Sequence, residues 1–326
     1  MPAVGRTYWL TEPCRIRRED NSVRVERADG SPVRIPITDI RDLVAFDHVD
    51  VNTSALSLLS RNGVTLHVLD HYGNHAGHFA PSESMSSASV LRRQVELTAD
   101  PDQRATVGRA LVTAAAENLR WALDTDLLDA ALDTLRGALP DCKDSDAIMG
   151  QEGNYRRTGW AVLDTQLPTW LRLEGRTRRP PTNAGNAFIS YLNALVYARV
   201  LTALRTSPLH PAIGFLHSDT DRRRNTLALD ISEPFKPLFA ERLLRRAASQ
   251  KALKPSDFET EVGRASLSKS GRKKVAMMVK EELATTVHHR SLKRKVSYEE
   301  IIHLEALKLV RLCLEGTPYK PFRPWW

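Results

Sequence analysis

Cysteine is scarce in this chain: Cys14, Cys142 and Cys313 are the only three, far apart and without a CxxC pair. That argues against a disulfide framework and gives no sign of a zinc module. The N-terminal stretch MPAVGRTYWLTEP has no apolar core of signal-peptide length, and no later apolar run is expected to span a membrane. Internal repeats and low-complexity tracts are missing as well. What these absences leave is a soluble protein expected in the cytoplasm.

The 326 residues suffice for two domains with cores of their own. Lys and Arg exceed Asp and Glu by 47 − 39 = 8. Such a surplus attracts polyanions, nucleic acid foremost, although a soluble enzyme can carry it with no such partner.

Residues 1–80 read as mostly strand. Val23 and Val25 alternate with charged residues, the turn Ala28 to Pro32 follows, and Val33, Ile35 and Ile37 alternate on its far side, which is a hairpin signal. Val64 to Leu69 is a further strand, and Thr53 to Arg61 a short helix capped by Asn52 or Thr53. His67, His71, His75 and His78 fall close together, but Gly73 and Gly77 among them favour a turn between two strands, and no metal is assigned to them. The serine-rich stretch 81–89 reads as a linker.

From Val90 the period becomes helical. Leu111, Ala115 and Leu119 share one face, and Asp124 to Leu139 reads as a helix closed by Pro140. Ser145 to Trp170 follows, with Gly150 and Gly153 expected to let other groups approach closely. Beyond a basic stretch and a double proline, Thr182 or Asn183 caps a helix whose Phe188, Leu192, Leu195 and Val196 point inward. Val275, Met278, Val279 and Leu283 mark another helix; His288 to Lys295 is a basic stretch that reads as a flexible loop or a DNA-backbone contact. Ser297 with Glu300 starts a last helix as in a capping box, ending near Gly316. The fold class expected is α+β: a small β-rich, β-sandwich-like domain over 1–80, the linker 81–89, and a larger all-α domain over 90–326.

Chemistry concentrates in HPAIGFLHSDTDRRRNTLALDISEPFKP, His210 to Pro237. An imidazole, His217, precedes Arg222, Arg223 and Arg224, and two carboxylates, Asp230 and Glu233, follow. Carboxylates and imidazole bind a divalent cation while guanidinium groups neutralise phosphate. Glu152, followed by Arg156 and Arg157, is a third candidate ligand. Oxygen-rich donors with one nitrogen suit Mg²⁺ or Mn²⁺. A plainer reading stands beside this one. Glu152 and Arg156 have the spacing of a helical ion pair, His217 can be a loop histidine, and Asp230 with Glu233 can favour a helix N-terminus.

The order and spacing of EG before basic residues, RRPPTNAGNAFISYLNALVYARV, HPAIGFLH and LALDISEPFKP resemble the CRISPR-associated integrase family, the endonucleases that insert new spacers. The likeness is most specific from Met149 to Pro237, and the ending YKPFRPWW is similar to one branch. The resemblance implies metal ligands at Glu152, His217 and Glu233, an acidic neighbour at Asp230, and in Lys236 a basic residue near the scissile phosphate. One departure is visible: the family commonly has small residues and then an aromatic pair after EG, where this chain has Asn154, Tyr155, Thr158, Gly159 and Trp160.

It also implies an N-terminal domain used for dimerisation, a homodimer, a small ferredoxin-like companion protein, and as substrates duplex DNA with 3′ single-stranded ends and CRISPR repeat DNA. Arg156, Arg176, Arg178, Arg179, Asn183 and Arg222 to Arg224 are the expected DNA contacts. The function expected is metal-dependent strand transfer. A structure-selective repair nuclease and a non-catalytic nucleic-acid scaffold are the competing readings, separable by strand joining and by metal binding.

Overall fold

The computed structural model describes residues 5–27, 30–46, 48–70, 73, 75–81, 87–217 and 225–324. Arg222, Arg223 and Arg224, His71, most of the serine-rich stretch, Ala28 and Asp29 of the hairpin turn, and Trp325 and Trp326 lie outside them. Contacts divide the chain into two compact units, residues 1–85 and 86–326.

In the first unit the strands are β1 (Arg6–Leu10), β2 (Cys14–Glu19), β3 (Ser22–Arg27), β4 (Val33–Pro36), β5 (Ile40–Phe46), β6 (Val49–Val51), β7 (Thr65–Leu69) and β8 (His75–Phe79), with helix α1 (Thr53–Arg61) between β6 and β7. They form two four-stranded sheets, ordered β1-β5-β7-β8 and β4-β3-β2-β6. The hairpin read from alternation is real: Val25 faces Val33 and Val23 faces Ile35 across β3 and β4. Alternation turns one side of each sheet toward a shared core holding Ile16, Val23, Val25 and Ile35 from one sheet and Leu43, Ala45 and Leu66 from the other. Asn52 caps α1 by accepting from the Ala55 N–H. Of the clustered histidines, His67 lies on β7 and His75 and His78 on β8, and His67 pairs in register with His78.

The second unit contains α2 (Ala88–Ala99), α3 (Pro101–Leu123), α4 (Asp129–Ala138), α5 (Ser145–Thr165), α6 (Ala184–Arg205), α7 (Thr226–Ser232), α8 (Arg242–Ser249), α9 (Lys269–Ala284) and α10 (Tyr298–Glu315). It is not all-α. Hairpins β9 (Phe258–Glu261) with β10 (Arg264–Leu267) and β11 (Thr286–His289) with β12 (Arg294–Ser297) flank α9. The basic stretch His288 to Lys295 is therefore the end of a strand pair, not a loose loop. Alternation in four-residue strands is too short to stand out beside dense charge.

Central α6 is long and apolar enough to cross a membrane, contrary to the expectation for the apolar runs, yet most of it is buried in protein. Phe188, Leu192, Leu195 and Val196 all point into that core, and Asn183 caps the helix through the Asn186 N–H. Helix α4 starts later than its pattern suggested. Asp124 closes α3 in the left-handed region at φ 49°, and Arg120 draws Asp126 and Asp129 together across the intervening turn.

Candidate active site in the helical unit

The site is assembled from α5, the loop 210–217, and the helical run that begins with α7. Side chains from distant helices hold the loop. Gln94 on α2 donates to the carbonyls of His210 and Ile213 and accepts from the His210 N–H. Arg104 on α3 donates to the Phe215 carbonyl at 2.9 Å. The loop is closed from its other side by Asp230, which is fully buried. One carboxylate oxygen accepts from the N–H groups of Phe215 (2.6 Å) and Leu216 (3.0 Å); the other accepts from the His217 N–H (2.9 Å) and lies 2.7 Å from His217 Nδ1. Gly214 makes this approach possible, because a Cβ there would stand 2.8 Å from Asp230 Oδ2.

Asp230 is thus an orienting group, with both oxygens spent on the loop. An ionised carboxylate at Nδ1 selects the tautomer that keeps the proton there. Nε2 is left with its lone pair and lies 3.7 Å from Glu233 Oε1. Glu233 in turn accepts from Arg156 Nη2 at 2.8 Å and from Lys236 Nζ. Burial alone would raise its pKa, but Lys236 and Arg156 hold it well below the usual carboxylate range.

Glu152 enters from α5. Its neighbour four residues on, Arg156, donates to it through Nε, so that one guanidinium bridges Glu152 and Glu233 and also lies 3.5 Å from Glu241. Arg156 is buried, and these carboxylates together hold its guanidinium protonated against the pull of burial. This corrects its expected place among the DNA contacts: a buried arginine spent on carboxylates presents no face to a phosphate. Gly150 and Gly153 likewise have open space where a Cβ would go; the close approach is at Gly159, where it would meet Leu119 Cδ2 at 2.5 Å. The atypical residues after Glu152 have structural work: Tyr155 donates to the Ala116 carbonyl and Trp160 Nε1 to Glu241.

Two other expected DNA contacts are also used internally. Arg176 binds Asn186, Ser190 and the Thr177 carbonyl, and burial lowers its pKa to about 10, with Arg178 adding to the effect. Asn183 spends its oxygen on the α6 cap and its amide on the Leu173 carbonyl. Arg178 and Arg179 are exposed.

Among the described residues, no three His, Cys, Asp or Glu side chains form a ready metal-holding group. The reason is local: Arg156 stands between Glu152 and Glu233. The donor chemistry nonetheless fits a hard divalent cation, since the two carboxylates that this guanidinium bridges, with an imidazole nitrogen 3.7 Å from one of them, are oxygen and nitrogen donors of the kind such an ion takes.

Gln94, Arg104, Asn118 and Glu241 were not legible as site residues. Each acts through a partner more than 80 positions away or through a backbone carbonyl. Asn118, fully buried on α3, donates to the carbonyls of Pro234 (2.7 Å) and Phe322 (3.0 Å). It ties the residue after Glu233 to the C-terminal segment. Phe322 stacks on Phe235 with centroids 5.6 Å apart.

A β-rich unit followed by a helical unit that gathers acid, imidazole and guanidinium groups around one point marks an α+β protein of the kind suited to phosphate chemistry. The chain belongs to the Cas1 family: the model described as CRISPR associated protein Cas1 matches residues 7–281. A protein named CRISPR-associated endonuclease Cas1 3 from Thermodesulfovibrio yellowstonii is 35% identical over 98% of this chain and 100% of its own length. CRISPR-associated endonuclease Cas1 2 from Moorella thermoacetica matches with the same identity and coverage. The solved Cas1 protein from Thermotoga maritima superposes with a TM-score of 0.87 at 26% identity, covering 98% of this chain and all of that one. A casposase bound to its integration product has a TM-score of 0.86 at 18% identity, covering 97% of this chain and 92% of its own; it shares the fold.

Proposed function

We propose that this chain is a metal-dependent DNA integrase with endonuclease ability, inserting short DNA fragments into a CRISPR repeat array. The observation that carries the reading is the juxtaposition of His217 Nε2 and Glu233, with Glu152 joined to the same carboxylate through Arg156. Relatives named as endonucleases along the whole chain support it.

Glu152, His217 through Nε2, and Glu233 would hold the ion. Mg²⁺ or Mn²⁺ bound there would polarise the target phosphodiester and stabilise charge developing on its oxygens. Asp230 keeps the His217 proton on Nδ1 and the ring in place. Lys236, partly exposed beside Glu233, offers an ammonium to a phosphate oxygen. Arg178 and Arg179 draw the DNA backbone toward the helical unit. The nucleophile is the 3′-hydroxyl of an incoming DNA end; water in its place gives hydrolysis, and no protein side chain is covalently attached.

The partners proposed are duplex DNA with 3′ single-stranded ends, repeat DNA, a second copy joined through the β-rich unit, and a small ferredoxin-like companion. A Cas6-RT-Cas1–Cas2 complex and a Cas1–DNA complex among the fold neighbours motivate the companion and the nucleic acid. Purified protein, its companion, a short duplex with 3′ overhangs and a repeat-bearing plasmid are expected to give joined products. Joining that survives Glu152→Ala or His217→Ala would overturn the reading. Cleavage without joining would favour a repair nuclease.

A further inference from the structure

The buried cluster has more carboxylate than the proposed ligand set needs. Glu241 is 1% exposed and lies eight residues beyond Glu233, at the end of the π-helical turn Pro237–Glu241. Single π turns inside a helix displace the side chains that follow and recur at functional sites. One of its oxygens accepts from Trp160 Nε1 at 3.1 Å and lies 3.5 Å from Arg156 Nη1. The other, Oε2, is buried with no hydrogen-bond partner. Buried carboxylate oxygens are ordinarily satisfied, so one that is not calls for a physical reason.

The reason lies in how Arg156 is shared. Its Nε and Nη2 grip Glu152 and Glu233 closely, and only its far nitrogen reaches toward Glu241. A divalent cation taken up by Glu152 and Glu233 would stand next to a guanidinium of like charge in a poorly solvated place, where repulsion is strong. The guanidinium then needs another carboxylate within a small movement. Glu241, already 3.5 Å from the far nitrogen, offers an oxygen with no hydrogen-bond partner.

We propose that Arg156 is a resident counter-cation holding Glu152 and Glu233 in place before metal arrives, and that Glu241 is the positioning residue that takes its guanidinium when the metal displaces it. The inference rests on the reading of Glu152, His217 and Glu233 as the ligands. It deepens that reading by assigning Glu241 a role in loading the site. No bond is made or broken; one ion pair is exchanged for another.

The experiment is a Mn²⁺ titration of the full-length chain by calorimetry, without DNA. The same variants are followed through the Trp160 indole ¹⁵N resonance during a Mg²⁺ titration. The wild type is expected to bind Mn²⁺, Glu152→Ala to bind it much more weakly, and Glu241→Gln to lose about tenfold or more in affinity. In an Arg156→Met background there is no guanidinium to relocate, so adding Glu241→Gln should change affinity by less than about twofold. Glu241→Asp should restore part of the loss, and Mg²⁺ should shift the Trp160 signal only where Arg156 and Glu241 are both present.

An equal loss from Glu241→Gln in both backgrounds, or no loss in either, overturns the proposal while leaving the ligand reading intact. Mn²⁺ affinity indifferent to Glu152→Ala overturns both. Thermal unfolding of each variant separates misfolding from loss of affinity, and the Arg156→Met comparison remains decisive between variants that fold.

Discussion

Nδ1 of His217 lies 2.7 Å from Oδ1 of Asp230, and three consecutive backbone N–H groups, those of residues 215 to 217, converge on the same carboxylate. One side chain therefore shapes the loop and selects the imidazole tautomer. Asp230→Asn keeps the size but turns an NH₂ toward donors. It is expected to cost about 2–3 kcal/mol in denaturant unfolding and to lower strand-transfer or cleavage rates by about tenfold or more. If the rate falls while stability does not, the loop is held by other means and only the tautomer argument survives.

Arg178 and Arg179 are exposed, whereas Arg176 is bonded to Asn186 and Ser190. Removing each exposed arginine that contacts a phosphate should reduce the slope of log affinity against log salt by about 0.9 for duplex DNA. Arg176→Ala should instead lower the unfolding temperature, because it removes the bonds that tie this segment to Asn186 and Ser190 of α6. Binding curves at several salt concentrations, beside melting curves, distinguish the two outcomes.

Asn118 makes the C-terminal segment part of the site. The same segment is also pinned by buried Glu305, which accepts from the Tyr319 hydroxyl at 2.9 Å and the Phe322 N–H at 3.1 Å. Asn118→Leu strands the carbonyls of Pro234 and Phe322 and is expected to cost about 2 kcal/mol or more. Hydrogen exchange at residues 233–239 should rise with it, and rise again when the chain is ended at Gly316. Unchanged exchange there would mean that the segment does not brace the Glu233 turn.

The β-rich and helical character of the two halves, the Asn52, Asn183 and Ser297 caps and the buried stripe of α6 were legible because each is local. A cap needs a side chain within three residues of its N–H, and an amphipathic stripe needs only period. His217 and Glu233 stood out as chemistry-bearing residue types in one short segment. Arg156 was misread because its helix spacing to Glu152 is that of a surface ion pair; its burial depends on Glu233 and Glu241, some eighty residues on. The capping box at α10 shows the same limit on a small scale. Ser297 caps the Glu300 N–H as its spacing implies, but the Glu300 side chain pairs with Arg294 across the β12 strand end.

Asp257 gives a pH dependence that can be measured away from the proposed chemistry. It is buried just before β9, accepting from the Lys254 N–H at 2.9 Å and from Lys274 Nζ at 2.7 Å. Burial alone would raise its pKa; the bonds from Lys274 and the Lys254 N–H outweigh it and hold the carboxyl below the ordinary aspartate value. A folded-state pKa below the unfolded one means more protons on the unfolded chain at intermediate pH. The stabilisation is therefore complete above the unfolded value, about 3.9, and is lost as pH falls through the lower folded value. Asp257→Asn should cost about 1–3 kcal/mol near neutral pH, and its deficit against the wild type should shrink on acidification below about pH 4. Denaturant midpoints of the two chains between neutrality and acid test this. A deficit that stays constant through that range would place the contribution of Asp257 in packing instead of charge.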